Sequence, residues 1–247
     1  MSAYQTLVSA AGKKGAGYLV LIDPDKIDGN NFIKFIEQAT EAGVDGFLVG
    51  GSLVLADTFE ECIKTIKKHT SVPVVIFPGS VQQISKEADA ILYLSLLSGR
   101  NAEHIIGSQV TAAPIIKKMN LEAISTAYML VESGRTTSAE FMSNTKPLPR
   151  NKPDIAVAHA LAAEYIGFKF LYLEAGSGAE QSVPDEMISA VSHYCSVPLI
   201  VGGGIRTAED ARKKVKAGAK FIVTGNVLEL NSSKDFIKEF ASAIHVR

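Results

Sequence analysis

Short apolar runs with little polar alternation recur along the chain, separated by longer segments of mixed character. A run such as YLVLID, at Tyr18–Asp23, is typical of a strand buried on both faces, as in a parallel sheet covered by helices. The pattern predicts eight such strands: Tyr18–Asp23, Gly46–Val49, Val74–Phe77, Ala90–Leu94, Glu122–Thr126, Phe170–Glu174, Leu199–Val201 and Phe221–Thr224.

Most segments between these strands carry apolar residues at steps of three and four, the period of a helix packed on one side. Several end in a glycine just before the next strand, as in EAGVDGFLVG, and glycine suits the left-handed residue that closes a helix. This alternation predicts an α/β fold, a single (β/α)8 TIM barrel domain over residues 1–247, with a doubly wound parallel sheet as the alternative. The predicted helices are Phe32–Ala42, Phe59–His69, Ala102–Met119, Ile155–Ile166, Pro184–Tyr194, Ala208–Ala217 and Lys234–Ile244.

Two segments depart from the regular repeat. Only the twelve residues PGSVQQISKEAD separate Phe77 from Ala90, so the third helix is predicted to be short or missing. The segment Met129–Pro153 is long and polar, with prolines at positions 147, 149 and 153. It is predicted to be a loop on the barrel face where βα loops gather, and loops of this length are usually functional lids or disordered.

Composition excludes several functions. Lys and Arg number 25 and Asp and Glu 26, for a net charge of −1, which lacks the basic excess of a nucleic-acid binder or a polybasic membrane anchor. No apolar run reaches the roughly 18 residues of a membrane span, and the N-terminal residues do not read as a secretory signal. Cys62 and Cys195 form neither a disulfide framework nor a zinc cluster and are predicted to be buried. We therefore expect a cytoplasmic protein without stable membrane insertion.

Glycines follow the last two predicted strands, as Gly202–Gly204 and as Gly225 beside Asn226. Glycine lets an anion approach backbone N–H groups closely, and the helix that follows adds a favourable dipole. Active sites of such barrels lie at the carboxyl ends of the strands, and the loops after strands seven and eight frequently bind phosphate. The two clusters together predict a phosphate site, with tight turns alone as the alternative.

The sixth strand ends in Tyr172-Leu173-Glu174, followed by Ala175-Gly176-Ser177-Gly178. Side chains alternate across a strand, so Tyr172 and Glu174 are expected on one face and Leu173 on the other. A carboxylate at the mouth beside a phosphate site suits a general base, and a solvated strand-end salt bridge is the alternative.

Asp23 directly follows the first strand, within Asp23-Pro24-Asp25-Lys26, and Ser52 follows the second. A hard oxygen ligand at the mouth suits Mg²⁺, which takes few protein ligands and completes its shell with phosphate oxygens and water. The alternatives are a simple turn at Asp23 and a helix-capping role for Ser52.

At these residues the chain resembles the geranylgeranylglyceryl phosphate synthase family, which includes bacterial heptaprenylglyceryl phosphate synthases. The resemblance covers essentially the whole chain in order and spacing, and YLEAGSG together with the DPDK start is its specific part. It rests on Ile22–Lys26, Val49–Ser52, Tyr172–Gly178, Gly202–Arg206 and Thr224–Asn226.

The resemblance implies a modified barrel whose third helix is replaced by non-helical chain. It implies transfer of a prenyl group from a long prenyl diphosphate to the 3-hydroxyl of sn-glycerol 1-phosphate, with release of diphosphate. Leu21 stands where some bacterial relatives carry lysine, which resembles the branch that uses geranylgeranyl diphosphate. Relatives form dimers and hexamers, so a homo-oligomer is expected.

The resemblance also assigns residues. Asp23 and Ser52 match the Mg²⁺ positions, and Glu174 matches the base toward the glycerol hydroxyl. The positions that match glycerol 1-phosphate binding are Tyr172, Leu173, Glu174, Ala175, Gly176, Ser177, Gly178, Gly203, Gly204, Gly225 and Asn226.

Two further functions stay open from the sequence. One is a phosphate-binding barrel lyase or isomerase of amino-acid biosynthesis, which shares the glycines after strands seven and eight. Such enzymes place acid and base groups across the mouth, and Ser125–Tyr128 at the end of the fifth strand holds no carboxylate. The other is a non-enzymatic prenyl-phosphate binding protein, which would not need both Asp23 and Glu174.

Overall fold

The computed structural model describes residues 1–27, 29–55 and 57–247. Eight parallel strands pair in chain order, and β8 pairs with β1 to close the barrel. The predicted (β/α)8 barrel is therefore confirmed. The strands are β1 Gly17–Ile22, β2 Gly46–Val49, β3 Val74–Ile76, β4 Ala90–Leu96, β5 Glu122–Leu130, β6 Phe170–Glu174, β7 Leu199–Gly202 and β8 Phe221–Thr224.

Helices surround the barrel, and the seven predicted ones are present with small shifts at their ends. The segment predicted as Ala102–Met119 begins with a π-helical turn at Glu103–Gly107 before its regular part. The α-helices are α1 Ala3–Lys14, α2 Gly29–Ala42, α3 Phe59–His69, α4 Ser108–Met119, α5 Ser138–Ser143, α6 Pro153–Ile166, α7 Asp185–Tyr194, α8 Ala208–Lys216, α9 Asn226–Leu230 and α10 Lys234–Ile244.

Helix α1 was missed by the sequence pattern, although its start carries a recognisable signal. Ser2 accepts a hydrogen bond from the Gln5 N–H while the Gln5 side chain accepts from the Ser2 N–H, which is a capping box. Its buried Leu7 and Ala11 pack in the same apolar cluster as Phe221 of the barrel interior. Helix α1 therefore covers the amino-terminal end of the barrel, opposite the predicted site.

The third unit is irregular in the way the sequence predicted. Between β3 and β4 the chain runs through turns, without a helix, over the twelve residues that replace one. The prediction of a short or missing third helix is confirmed.

The prediction for Met129–Pro153 is confirmed in its position, since Thr137 packs against Gly176 of the β6 loop, but the segment is not one long loop. Strand β5 continues to Leu130, α5 follows within the segment, and Val131 pairs with Leu148 in an isolated parallel bridge. Met129 packs in the outer layer and Leu130 in the interior cluster, so both faces of this extension are buried. Similarly, β4 runs to Leu96, two residues beyond its predicted end.

The core has two layers, one between strands and helices and one inside the barrel. Both cysteines are buried and unpaired, as predicted. In the described part of the chain, no helix combines the length and apolarity needed to cross a bilayer. Because all strands run parallel, the loops that follow them share one end of the barrel, where the predicted site residues lie.

Candidate active site

Glu174 is the last residue of β6 and lies at the mouth of the barrel, with only 6% of its surface exposed. The backbone N–H of Gly176 donates to Glu174 Oε1 at 2.6 Å. As predicted from strand alternation, Tyr172 belongs to the interior cluster while Leu173 packs in the outer layer. The alternative of a solvated strand-end salt bridge does not fit, because Glu174 is buried and the described residues offer it no cation.

Burial raises the pKa of Glu174 to about 7, against the smaller opposing effect of the hydrogen bond from the Gly176 N–H. A carboxyl group with a pKa near neutrality is divided between its acid and base forms at pH 7, and its base form takes up a proton readily. The side chain is thus suited to general base chemistry.

Three aromatic rings lie beside Glu174 inside the mouth. Phe77 stacks on Tyr172 with ring centroids 5.3 Å apart, and Tyr128 meets both rings edge to face. Burial, and then the charge of Glu174, hold the pKa values of Tyr128 and Tyr172 well above their usual range. Both hydroxyls are therefore neutral, and the Tyr172 hydroxyl is buried without a hydrogen-bond partner among the described residues.

Four glycines follow β6 and β7 at the mouth, and we call them together the glycine cup: Gly176, Gly178, Gly203 and Gly204. All four have positive φ, from 69° to 98°, a conformation that side chains disfavour. A Cβ at Gly203 would lie 2.3 Å from Glu174 Oε1 and 2.5 Å from the Gly176 nitrogen. Only glycine allows this contact, so Gly203, Gly176 and the candidate base Glu174 form one group.

The loop after β8 joins the same group. Ser177 Oγ donates to Asn226 Oδ1 at 2.7 Å, which connects the β6 loop to the first residue of α9. Gly225 lies just before α9, against the Leu21 carbonyl of β1. Ala175 is buried, and its N–H donates to the Gly202 carbonyl. The structure therefore brings together the predicted residues of the β6, β7 and β8 loops, apart from the outward-facing side chain of Leu173.

Asp23 and the turn that contains Ser52 lie on the adjoining side of the mouth, after β1 and β2. Asp23 Oδ1 accepts from the Asp25 N–H at 3.1 Å and lies against Gly51, where a Cβ would approach it to 3.5 Å. Among the described residues, no hydrogen bond joins Asp23 or Ser52 to Glu174. The mouth therefore has two parts: the glycine cup with Glu174, and the Asp23–Ser52 side.

Lys26 was not singled out from the sequence, although it belongs to the DPDK motif. Its Nζ lies 3.4 Å from Asp23 Oδ2 and 3.0 Å from Glu229 Oε1 of α9. Partial burial alone would lower the pKa of Lys26, but the pairs with Glu229 and Asp23 outweigh it and raise that pKa. Lys26 thus links the Asp23 side of the mouth to α9.

The donors on the Asp23 side are compatible with Mg²⁺ and do not make a closed metal centre. No group of three His, Cys, Asp or Glu side chains is placed to hold a metal within the described ranges. One carboxylate and one hydroxyl, from Asp23 and Ser52, suit an ion that keeps water and takes its other ligands from substrate phosphates.

The closed parallel barrel defines the class of (β/α)8 barrels, here with a glycine cup and a buried carboxylate side by side at the mouth. The sequence profile of the PcrB family matches residues 11–244. The chain belongs to this family, together with curated geranylgeranylglyceryl phosphate synthases, so the resemblance in the motifs is confirmed.

Relatives come from bacteria and archaea. The chain is 45% identical to the geranylgeranylglyceryl phosphate synthase of Chitinophaga pinensis over 242 residues, 98% of this chain and 95% of that protein. It is 49% identical to the enzyme of the same name from Pyrococcus furiosus over 213 residues, 86% of this chain and 84% of that one.

A solved structure shares the fold throughout. The crystal structure of (S)-3-O-geranylgeranylglyceryl phosphate synthase from Thermoplasma acidophilum, in complex with its substrate sn-glycerol-1-phosphate, superposes with a TM-score of 0.93. The two sequences are 34% identical, and the match covers 99% of each chain.

Proposed function

We propose that this protein is a prenyltransferase that joins a long prenyl diphosphate to the 3-hydroxyl of sn-glycerol 1-phosphate. The glycerol oxygen forms a bond to the first prenyl carbon, the bond from that carbon to diphosphate breaks, and the hydroxyl proton passes to Glu174. The observation that carries the proposal is the buried Glu174 carboxylate, with a pKa near 7, in contact with the glycine cup.

The glycine cup holds the phosphate of glycerol phosphate. The N–H groups of the cup other than that of Gly176, which donates to Glu174, offer donors to an anion, while Ser177 and Asn226 fix the two loops against each other. Fixing the phosphate aims one hydroxyl at the prenyl carbon, which lowers the entropic part of the barrier. Glu174, positioned by the Gly176 N–H, is the base that receives the proton.

The Asp23 side of the mouth holds the diphosphate, with Asp23 and Ser52 as the protein ligands of Mg²⁺. When bound there, Mg²⁺ neutralises the charge that develops on the leaving diphosphate. Phe77, Tyr128 and Tyr172 pack together inside the mouth as an aromatic group. Their ring faces favour positive charge on the allylic carbon and exclude water from it.

The prenyl chain needs an apolar path for about twenty carbons, and geranylgeranyl diphosphate is the donor we propose. Leu96, which ends β4 and packs in the interior cluster, and the non-helical segment after β3 are proposed to form its wall, while Leu97 packs toward the outer layer. A homo-oligomer, dimer or hexamer, and a cytoplasmic location remain predictions.

Neither alternative function accounts for the site as well. At the end of β5 the inward side chains are Tyr128 and Leu130, so this strand offers no acid or base toward the cup. The following carboxylate, Glu132, is exposed and accepts a hydrogen bond from the Arg150 N–H. A mere binding protein would gain nothing from burying Glu174, since desolvating a carboxyl group costs free energy.

The proposal is tested by incubating the protein with labelled sn-glycerol 1-phosphate, Mg²⁺ and prenyl diphosphates of several lengths in competition. We expect a labelled lipid-soluble ether product, formed fastest from the geranylgeranyl donor. If no prenyl length gives a lipid product, the proposal is wrong. A product made mainly from a longer or shorter chain would correct the donor and leave the reaction class intact.

Activity is expected to depend on pH through Glu174. Its raised pKa means that the base form is lost below about pH 7, so kcat/KM should fall about tenfold per pH unit below that value and level off above it. The measurement is kcat/KM for the prenyl diphosphate from pH 5.5 to 8.5 at saturating glycerol phosphate and Mg²⁺. A flat profile would contradict the role of Glu174 as base.

A further inference from the structure

Gln83 lies in the non-helical segment after β3 and is almost fully buried, with 5% of its surface exposed. Both polar groups of its side-chain amide form hydrogen bonds with the backbone of the turn after β2. Gln83 Nε2 donates to the Gly51 carbonyl at 2.8 Å, and Gln83 Oε1 accepts from the Gly51 N–H at 3.3 Å. The same oxygen accepts from the Gly79 N–H at 3.1 Å. One side chain therefore ties two turns together.

The two turns also fit together through their glycines. A Cβ at Gly79 would lie 2.1 Å from the Gly51 carbonyl oxygen and 2.9 Å from Ser52 Cα. A Cβ at Gly50 would lie 2.0 Å from the Phe77 carbonyl oxygen. The backbone after β3 thus packs directly on the backbone of Gly50–Ser52. A side chain at Gly50 or Gly79 would not fit between the two turns.

This contact lies directly beside the candidate metal site. Gly51, held on both sides by the Gln83 amide, is the residue that lies against Asp23 Oδ1, and Ser52 follows it directly. The position of Ser52 relative to Asp23 therefore depends on where Gln83 places Gly51.

We propose that Gln83 is a positioning residue that fixes the Gly51–Ser52 turn against Asp23 for binding of Mg²⁺ and diphosphate. The shortened third unit thereby supplies the amide that fixes this turn. The proposal deepens the proposed function and rests on it for the identity of the prenyl substrate.

The glutamine amide suits this position for a physical reason. The Gly51 backbone presents a donor and an acceptor, and a primary amide carries a matching acceptor and donor side by side at its end. Methionine has similar length and flexibility but satisfies neither, and so leaves the Gly51 groups without their buried partner.

The test compares Gln83→Met with Gln82→Met, an exposed neighbour on the same turn. The probe is Mn²⁺, followed by electron paramagnetic resonance during titration of the protein with inorganic diphosphate present. We expect Gln83→Met to bind Mn²⁺ about tenfold more weakly than wild type, a change of about 1.4 kcal/mol, and Gln82→Met to bind it normally. Gln83→Asn, which keeps the amide on a shorter stem, should show a smaller loss and serves if the methionine variant does not fold.

Kinetics separate positioning from a general loss of structure. KM for the prenyl diphosphate and the Mg²⁺ concentration for half-maximal rate should each rise about tenfold, while KM for sn-glycerol 1-phosphate stays within about twofold. If Mn²⁺ binding is unchanged in Gln83→Met, or if both KM values rise together, the proposal is wrong. If wild type binds Mn²⁺ with diphosphate, loses this in Gln83→Met, and yet transfers no prenyl group, the proposed function fails and the role of Gln83 stands.

Discussion

Replacing Glu174 by glutamine is expected to lower kcat by about 10²- to 10⁴-fold, the usual contribution of a positioned general base. Glutamine keeps the size of the side chain and an oxygen that accepts from the Gly176 N–H, but it cannot take the hydroxyl proton. KM for sn-glycerol 1-phosphate should change little, because the glycine cup remains intact. The measurement is steady-state kinetics with both substrates, with Glu180→Gln as the control on an exposed carboxylate of the same loop.

The same variant is expected to be more stable than wild type at alkaline pH. The pKa of Glu174 is about 7 in the folded state against an ordinary value of 4.5, so the folded protein holds its proton more tightly than the unfolded chain. The free energy of unfolding therefore falls as pH rises from about 4.5 to 7. Glutamine does not ionise and so does not show this fall. The free energy of unfolding of Glu174→Gln should therefore exceed that of wild type by up to about 3 kcal/mol at pH 8, and by less toward pH 5.

Urea unfolding of both proteins at pH 5 and pH 8, without substrates, measures this difference. If Glu174→Gln and wild type have equal free energies of unfolding at pH 8, burying the ionised Glu174 carboxylate does not destabilise the folded protein. An unchanged kcat would separately remove Glu174 as the base. The expected combination, lower activity with higher stability, is the signature of a functional group kept in an unfavourable environment.

Replacing Asp23 by asparagine is expected to lower turnover by about 10²- to 10³-fold, because the carboxylate is the only charged ligand we propose for Mg²⁺. Asparagine preserves the acceptor for the Asp25 N–H, so the turn after β1 should keep its shape. Added Mg²⁺ should restore little of the rate. Binding of sn-glycerol 1-phosphate should remain, because the glycine cup lies on the β6–β8 side of the mouth.

Turnover as a function of Mg²⁺ and calorimetric titration with sn-glycerol 1-phosphate measure the two effects separately. Asp25→Asn is the matched control, since asparagine keeps an oxygen that can accept from the Leu55 N–H. Loss of glycerol phosphate binding in Asp23→Asn would contradict the division of the mouth into two parts. If turnover of Asp23→Asn depends on Mg²⁺ concentration as wild type does, Mg²⁺ is bound by other residues.

Much of the site follows from short stretches of sequence. The strand ends at Glu174 and Thr224 were predicted correctly, because buried apolar runs end where polar or glycine residues begin. Alternation along β6 placed Tyr172 and Glu174 on one face. The end of β5 was missed, since residues that are apolar on both faces continue beyond Thr126 and carry no stop signal.

Contacts across the chain could not be predicted in this way. The Gln83 amide bonds Gly51, 32 positions earlier, and Ser177 bonds Asn226, 49 positions later. Lys26 likewise pairs with Glu229. Each partner is an ordinary polar residue in its own segment, so the local pattern gives no reason to single it out.

The sequence by itself determined the barrel, its irregular third unit and the glycines and carboxylates at its mouth, because period, burial and turn chemistry are local properties. Only the tertiary structure decided how deeply each of those carboxylates is buried and which groups it contacts. Closure of the barrel buries Glu174 against Gly203 and raises its pKa, whereas Asp23, paired with Lys26 on the other side of the mouth, keeps a side chain 25% exposed. Desolvation depends on the neighbours that folding supplies, and for this reason two acidic residues at equivalent strand ends are suited to different chemistry.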